Sequence, residues 1–324
     1  LQDKGNQTIC KNVYLKGLQD TYYSNNNNGT YYFEDGKIEG TVDFICGSGS
    51  VLFNECDLYV ADRTQSKTSA NVITAPATYA SEKGYAFYGC TIDGTDNQKD
   101  KYNLGRPWQK SPAATYVNTT MKINASSAGW TSMNKADAIR FHEFNTKNAE
   151  GSEVKTHNVN ACETSGTKDE LYLTEEQAAN YAPDKFFTSW TPETVAKQVD
   201  APTDAKLENG TITWTAVPGA AGYAIFANDE LLAIVDADVT SYVIENAGAS
   251  RRAGSDAPVY TIRAVNAMGG FGEAKIISDA TGISQIKAEE KIDWDNQVVY
   301  DLNGRRVKQT LKGGGGVNGN KVNR

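Results

Sequence analysis

Phe33-Glu34-Asp35-Gly36-Lys37-Ile38, Phe53-Asn54-Glu55-Cys56-Asp57-Leu58 and Phe87-Tyr88-Gly89-Cys90-Thr91-Ile92 are three writings of one pattern. A bulky apolar residue is followed at the third position by a small one and at the fifth by a branched aliphatic. Cys10, Val13 and Leu15 repeat it upstream. The four copies begin 23, 20 and 34 residues apart, a range of periods that signals stacked repeats. Phe, Tyr, Val, Ile and Thr dominate these segments and Gly or Asn-Gly interrupts them, which disfavours helical repeats. A parallel β-helix fits best. Equivalent residues then stack in ladders about 4.8 Å apart. The inward ladders are predicted as Phe33-Phe53-Phe87, Cys56-Cys90 and Ile38-Leu58-Ile92. The longer third period requires a loop, placed at 63–69 or 78–84. A solenoid needs a cap over its first coil, so the early first copy leads to the expectation that N-terminal coils are missing or supplied some other way.

The rest of the chain sets limits. Among 324 residues, 40 are acidic and 32 are Lys or Arg, a net charge of -8, so a general nucleic-acid footprint is not expected. No apolar run approaches the roughly 18 residues of a membrane span. Leu1-Gln2-Asp3-Lys4 opens a polar stretch rather than a secretory signal. The five cysteines, Cys10, Cys46, Cys56, Cys90 and Cys162, form no C-x-x-C pair and are odd in number. Buried thiols are therefore expected rather than zinc ligands or a disulfide framework. Only His142 and His157 are available for histidine chemistry, and both read as surface or core residues. Gly47-Ser48-Gly49-Ser50 lacks the spacing of a serine-hydrolase elbow.

Five residues past the last position of the ladder stand Asp20 (from Leu15) and Asp43 (from Ile38). If the register holds, the two carboxylates lie on adjacent coils. Like charges that close resist simultaneous ionisation, and the pair divides into a proton donor and an ionised base or nucleophile. Gln19 sets an amide beside the first acid. Asp43 sits in an otherwise apolar strand and needs a partner; Arg106, in Leu104-Gly105-Arg106-Pro107-Trp108, is the candidate. Tyr14, Tyr22, Tyr23, Tyr31 and Tyr32 are available to line a cleft or to pack in strands.

At these residues the chain resembles the pectinesterase (pectin methylesterase) family. Gly17-Leu18-Gln19-Asp20-Thr21-Tyr22-Tyr23 resembles its Gly-Tyr-Gln-Asp-Thr-Leu-Tyr segment. Gly40-Thr41-Val42-Asp43-Phe44-Ile45-Cys46-Gly47 resembles Gly-Thr-Val-Asp-Phe-Ile-Phe-Gly, with Cys46 in place of an aromatic. The stretch from Leu104 to Trp108 matches unchanged, and Pro76 replaces a common glutamine. The resemblance covers about residues 1–190. It implies a right-handed parallel β-helix that hydrolyses methyl esters of homogalacturonan without a cofactor or metal. It also implies Asp43 as nucleophile, Asp20 as general acid and then base, Gln19 as oxyanion donor and Arg106 as the group holding Asp43 ionised. Trp108, Tyr22 and Phe44 are the expected substrate contacts. The family's second oxyanion glutamine lies upstream of the segment matching Leu1. The alternatives are a non-catalytic polysaccharide-binding solenoid and, on the same fold, a calcium-dependent lyase.

The all-β chain is thus divided into a β-helix at 1–200, a small β-sandwich at 201–282 and a tail at 283–324. Thr174-Glu175-Glu176-Gln177 has the form of a capping box, predicting a helix through Tyr181, with Phe186, Phe187 and Trp190 covering the last coil. The sandwich resembles a fibronectin type III domain through Trp214, Tyr223 and Tyr260–Val265. The stretch Val298–Val307 resembles the C-terminal sorting tail of Bacteroidetes secreted proteins. Together these imply a monomeric bacterial protein, secreted or held at the cell surface or in the periplasm, whose partner is methyl-esterified pectin.

Overall fold

The computed structural model describes residues 1–228, 230–244, 258–279, 299–300 and 306–307. The predicted register is the observed one. Cys10 pairs with Phe33, Phe33 with Phe53 and Phe53 with Phe87, all in parallel. Leu15 pairs with Ile38, Ile38 with Leu58 and Leu58 with Ile92. The ladder then continues through Tyr116. Phe33, Phe53, Phe87 and Tyr116 stack ring on ring at 4.9, 4.9 and 4.4 Å between centroids. At this spacing aromatic faces are in contact, so one coil's ring is the floor of the next.

Each coil crosses three parallel sheets. The first sheet contains Gln2–Asp3, Tyr22–Ser24, Val42–Gly47, Val72–Pro76 and Asn103–Gly105. The second contains Thr8–Lys11, Thr30–Glu34, Ser50–Asn54, Gly84–Tyr88, Ala113–Val117 and Arg140–Phe144. The third runs from Tyr14–Lys16 through Lys37–Gly40, Asp57–Val60 and Thr91–Gly94 to Thr120–Met121. Between the second and third sheets the chain turns through one left-handed residue in successive coils: Asn12, Asp35, Glu55, Gly89, Asn118 and Asn145, with φ between 49° and 63°. Asn, Asp and Gly tolerate this region best, and the corner recurs two residues after the stacked ring position. The extra length of the third period is split between 61–71 and 77–83, so both predicted loop positions are used. All five cysteines are free thiols, four of them buried in the wall or the core.

After the coils, Thr174 caps the helix Glu175–Ala179 with both bonds of the capping box in place. The helix ends at Ala179, short of the predicted Tyr181. Phe186, Phe187 and Trp190 do not cover the last coil. They pack with Tyr32, Leu52 and Ala86, the outward residues of the second sheet. That outer face is apolar and needs a cover, so the helical segment folds back along it.

The described residues between 203 and 279 form two further sheets. One joins Ser241–Val243, Thr211–Thr215, Thr203–Glu208 and Ser278–Asp279; the other joins Glu230–Asp236, Gly222–Ala227, Tyr260–Val265 and Lys275–Ile276. Their core is built on Ile212, Trp214, Tyr223, Ile225 and Ile262. The strands Thr203–Glu208 and Glu230–Asp236 lie outside Trp214, Tyr223 and Tyr260–Val265, the residues that carry the resemblance. Most of the proposed sorting tail lies outside the described residues; its described part is a two-residue pairing of Val299–Tyr300 with Arg306–Val307. Among the described residues, no helix is long and apolar enough to cross a membrane.

Candidate active site

Where the chain passes from the third sheet into the first, Gly17, Leu18 and Asp20 run beside Glu39, Thr41 and Val42. The bonds Gly17 N–H to Glu39 O, Thr41 N–H to Leu18 O and Asp20 N–H to Val42 O measure 3.0, 2.7 and 3.2 Å. The two acidic residues therefore stand on consecutive rungs at one corner. Both occupy the left-handed region, Asp20 at φ 52° and Asp43 at φ 50°. At Asp43 the ladder slips. Val42 pairs with Val72 and Ile45 with Thr74, so two residues oppose one. A bulge of this kind re-aims a side chain, and here it turns the carboxylate out of the strand.

Two glycines keep that corner tight. A Cβ on Gly40 would lie 2.2 Å from the Cβ of Phe44. Gly47 has φ 116°, and a Cβ there would meet the Ser24 carbonyl oxygen at 2.0 Å and the Tyr23 ring at 2.8 Å.

Arg106 follows the last strand of the same sheet and reaches across to Asp43. Its Nε and Nη2 donate to Oδ1 and Oδ2 at 2.8 and 2.5 Å. The Asp43 residue is 4% exposed. A bidentate guanidinium is the arrangement that stabilises a carboxylate where burial opposes charge. Asp20 is on the open side. Partial burial pushes its carboxyl upward and the charge of Asp43 adds to this, while hydrogen bonds with Cys46 and Gln19 and the charge of Arg106 pull the other way. One acid is thus clamped by a cation and the other is biased toward keeping its proton. Burial also pushes the Cys46 thiol up, with Asp20 and Asp43 adding to it, so Cys46 stays protonated against the pair.

Of the expected substrate contacts, Trp108, two residues after Arg106, is half-buried. Its backbone N–H donates to Pro76 O at 3.1 Å and its carbonyl accepts from Asn134 Nδ2 at 2.8 Å. Tyr22 and Phe44 are corrected: both are fully buried members of the solenoid core. The pleat turns Tyr22 inward onto Phe33, 4.7 Å between centroids, and the bulge at Asp43 sends Phe44 inward as well. The outward residue is Tyr23, whose ring lies 6.0 Å from that of Trp108. Alternation shows that one of the two adjacent tyrosines faces out; the inward pairing of Tyr22 with Ile45 shows which. Gln19 is exposed beside Asp20.

The two histidines lie elsewhere. His142 Nε2 is 3.2 Å from Asp169, and burial pushes this imidazole down. His157 is in the core with Glu143, 3.0 Å from Nδ1 to Oε1, where Trp130 Nε1 also donates to Glu143 at 2.9 Å. Among the described residues, no cluster of ligands that could hold a metal is present.

The pectinesterase family model matches residues 1–189. The chain belongs to the pectinesterase family. Pectinesterase A of Dickeya chrysanthemi is 35% identical over 213 residues, covering 58% of this chain and 55% of that protein. A probable pectinesterase A of Aspergillus niger is 33% identical over 140 residues, 42% of this chain and 40% of the other. The solved pectin methylesterase PemA from Erwinia chrysanthemi aligns at a TM-score of 0.46 and 26% identity, covering 59% of this chain and 60% of that one. The chain spans about half the length of the curated relatives it matches.

Proposed function

We propose that this chain hydrolyses methyl esters of polygalacturonate to pectate and methanol, with Asp43 as nucleophile. The observation that carries the reading is the buried Asp43 carboxylate clamped by both arms of Arg106, one rung from an acid whose carboxyl is pushed up.

In this reading Asp43 attacks the ester carbonyl carbon, and Gln19 donates to the resulting oxyanion. As the bond from carbon to methoxy oxygen breaks, Asp20 gives its proton to the departing oxygen and methanol leaves. An anhydride now joins Asp43 to the uronate. Water attacks the uronate acyl carbon of the anhydride, Asp20 takes its proton, and Asp43 departs as carboxylate. Neither histidine nor metal is required by this sequence of steps. A well-placed oxyanion donor contributes about 10²–10³ in rate. Trp108 and Tyr23 form the wall against which a sugar ring packs.

The sandwich is read as a fibronectin type III-like spacer. Together with the tail-like segment this supports the reading of a bacterial protein that is secreted or held at the cell surface or in the periplasm, and that acts as a monomer. The test is methanol release from methylated pectin by the wild-type chain and by Asp43→Ala. Turnover should vanish in the variant, and retained turnover removes Asp43 from the mechanism.

A further inference from the structure

On the outward side of the first sheet Tyr23, Cys46 and Ala75 stand side by side on consecutive rungs. Gly105 pairs with Thr74, so Arg106 comes next in that row, its N–H donating to Thr74 O at 3.0 Å. The row is low in the middle. Cys46 and Ala75 are 3% and 1% exposed, two small residues between a tyrosine and an arginine. Arg106 reaches Asp43 from two rungs away, so its side chain crosses this floor.

Cys46 differs from other thiols of the solenoid in what it touches. Cys56, Cys90 and Cys162 direct theirs to the backbone carbonyls of Asn54, Phe53 and Thr131 at 3.4, 3.4 and 3.3 Å. The Cys46 thiol is hydrogen-bonded to the Asp20 carboxylate instead. The motif that this strand resembles carries an aromatic at the same position, which offers no such donor. Because the thiol is held protonated, it donates throughout the range in which carboxylates titrate and is not itself a nucleophile.

The acid it touches has little else to direct it. Asp20 is exposed, and its other hydrogen-bonding side chain, Gln19, is exposed as well. Its backbone is fixed at φ 52° by the bond from its N–H to Val42 O, but that leaves the carboxyl free to turn. A donor built into a paired, buried strand has a fixed direction and removes that freedom.

We propose that Cys46 is a positioning residue: its S–H holds the Asp20 carboxyl in the direction that faces Asp43 on the neighbouring rung. The proposal rests on the reading of Asp20 as the acid and base of an esterase, and it adds a group that the resembled motif lacks.

The test compares the full chain with Cys46→Ala and Cys46→Ser. Two spectra read the contact without turnover. The S–H stretching band of Cys46, identified by its loss in Cys46→Ala, should move in Asp20→Ala. In carbon-detected NMR titration the Asp20 carboxyl should rise in Cys46→Ala, which loses a bond to the charged form, and should not rise in Cys46→Ser. In methanol release from methylated pectin, Cys46→Ala should lower kcat by about 3–10-fold, the range of one hydrogen bond, with KM nearly unchanged. Cys46→Ser, which keeps a donor, should restore most of it. The proposal is overturned by an S–H band indifferent to Asp20→Ala, by an Asp20 carboxyl that fails to rise in Cys46→Ala, or by equal kcat in all three chains. A wild-type chain that releases no methanol removes the esterase reading, and the two spectra then decide the thiol contact by themselves.

Discussion

Replacing Arg106 by Met tests the electrostatic core of the site. The guanidinium makes two bonds to a carboxylate on a residue that is 4% exposed, while the Arg106 side chain itself is 25% exposed. Removing one partner of a buried pair costs about 3–5 kcal/mol, because the other charge is left without compensation. Water can enter the space left by a side chain one quarter exposed, so the lower end applies, about 3 kcal/mol. With Asp43 as the proposed nucleophile, the same energy withdrawn from its carboxylate should lower kcat by about 10²-fold, at about 1.4 kcal/mol per decade. In a domain of this size the melting temperature should fall by roughly 6–12 °C.

A double-mutant cycle separates the pair from other effects of losing Arg106. Asp43→Asn removes the charge that needs compensating, so Arg106→Met/Asp43→Asn should recover most of the stability lost by Arg106→Met alone. The coupling energy from thermal or urea unfolding should be about 2–3 kcal/mol. A coupling below about 0.5 kcal/mol, the ordinary error of additivity, refutes the argument. So does an Arg106→Met enzyme within tenfold of wild type in kcat. Either result means that the contact is geometric only.

Four further outcomes follow from the same contacts. Because the charge of Asp43 helps to push the Asp20 carboxyl up, Asp43→Asn should lower the Asp20 pKa; carbon-detected NMR titration showing no downward movement refutes this coupling. A raised carboxyl favours the folded state only below its unfolded value and loses that contribution as pH climbs through its folded value. Asp20→Asn should therefore gain melting temperature relative to wild type as pH rises through that window, and a constant difference contradicts the shift. Gly47→Ala forces a Cβ to within 2.0 Å of the Ser24 carbonyl oxygen at φ 116°, so it should displace Tyr23 and lower kcat/KM for pectin by more than tenfold, while Gly151→Ala, with open space around it, should leave turnover intact. Phe53→Ala, in the middle of the ring ladder, should cost about 3–5 kcal/mol in chemical unfolding; a loss below about 1 kcal/mol means that the stack closes over the gap.

What could be read from the sequence is what repeats. Phe33, Phe53 and Phe87 recur with their followers at fixed offsets because parallel rungs demand the same residue class at the same place, and the pairing agrees at those positions. The offset from Leu15 to Asp20 equals that from Ile38 to Asp43, which is why two acids could be set on neighbouring rungs before any coordinates. The sequence was poorer wherever the chain leaves the repeat. The resemblance sets Phe44 among the substrate contacts, but the bulge at Asp43 adds one residue, so that Phe44 and Ile45 both lie in the core. Tyr22 and Tyr23 have nearly the same composition signal and opposite fates. The outer cover of the second sheet was also missed, since Tyr32 and Leu52 look like further core residues and give no sign that Phe186 must come back to them.

These failures have one physical origin. A β-helix wall is two-sided, and sequence periodicity reports that a residue is apolar without reporting which side needs it. On the first sheet the difference is chemical. The inward side is filled by Tyr22, Phe44 and Ile45, and the outward side holds Tyr23, Cys46 and the acids that the left-handed corner turns out. The strain of two non-glycine residues at positive φ is therefore tied to the site itself: it moves carboxylates out of a ladder whose inward face could not bear their charge. Relaxing the corner with Asp43→Gly would remove the strain and the reacting group together. The strain relieved is opposed by the Arg106 charge left without its partner, so the stability gain is expected only in Asp43→Gly/Arg106→Met measured against Arg106→Met alone.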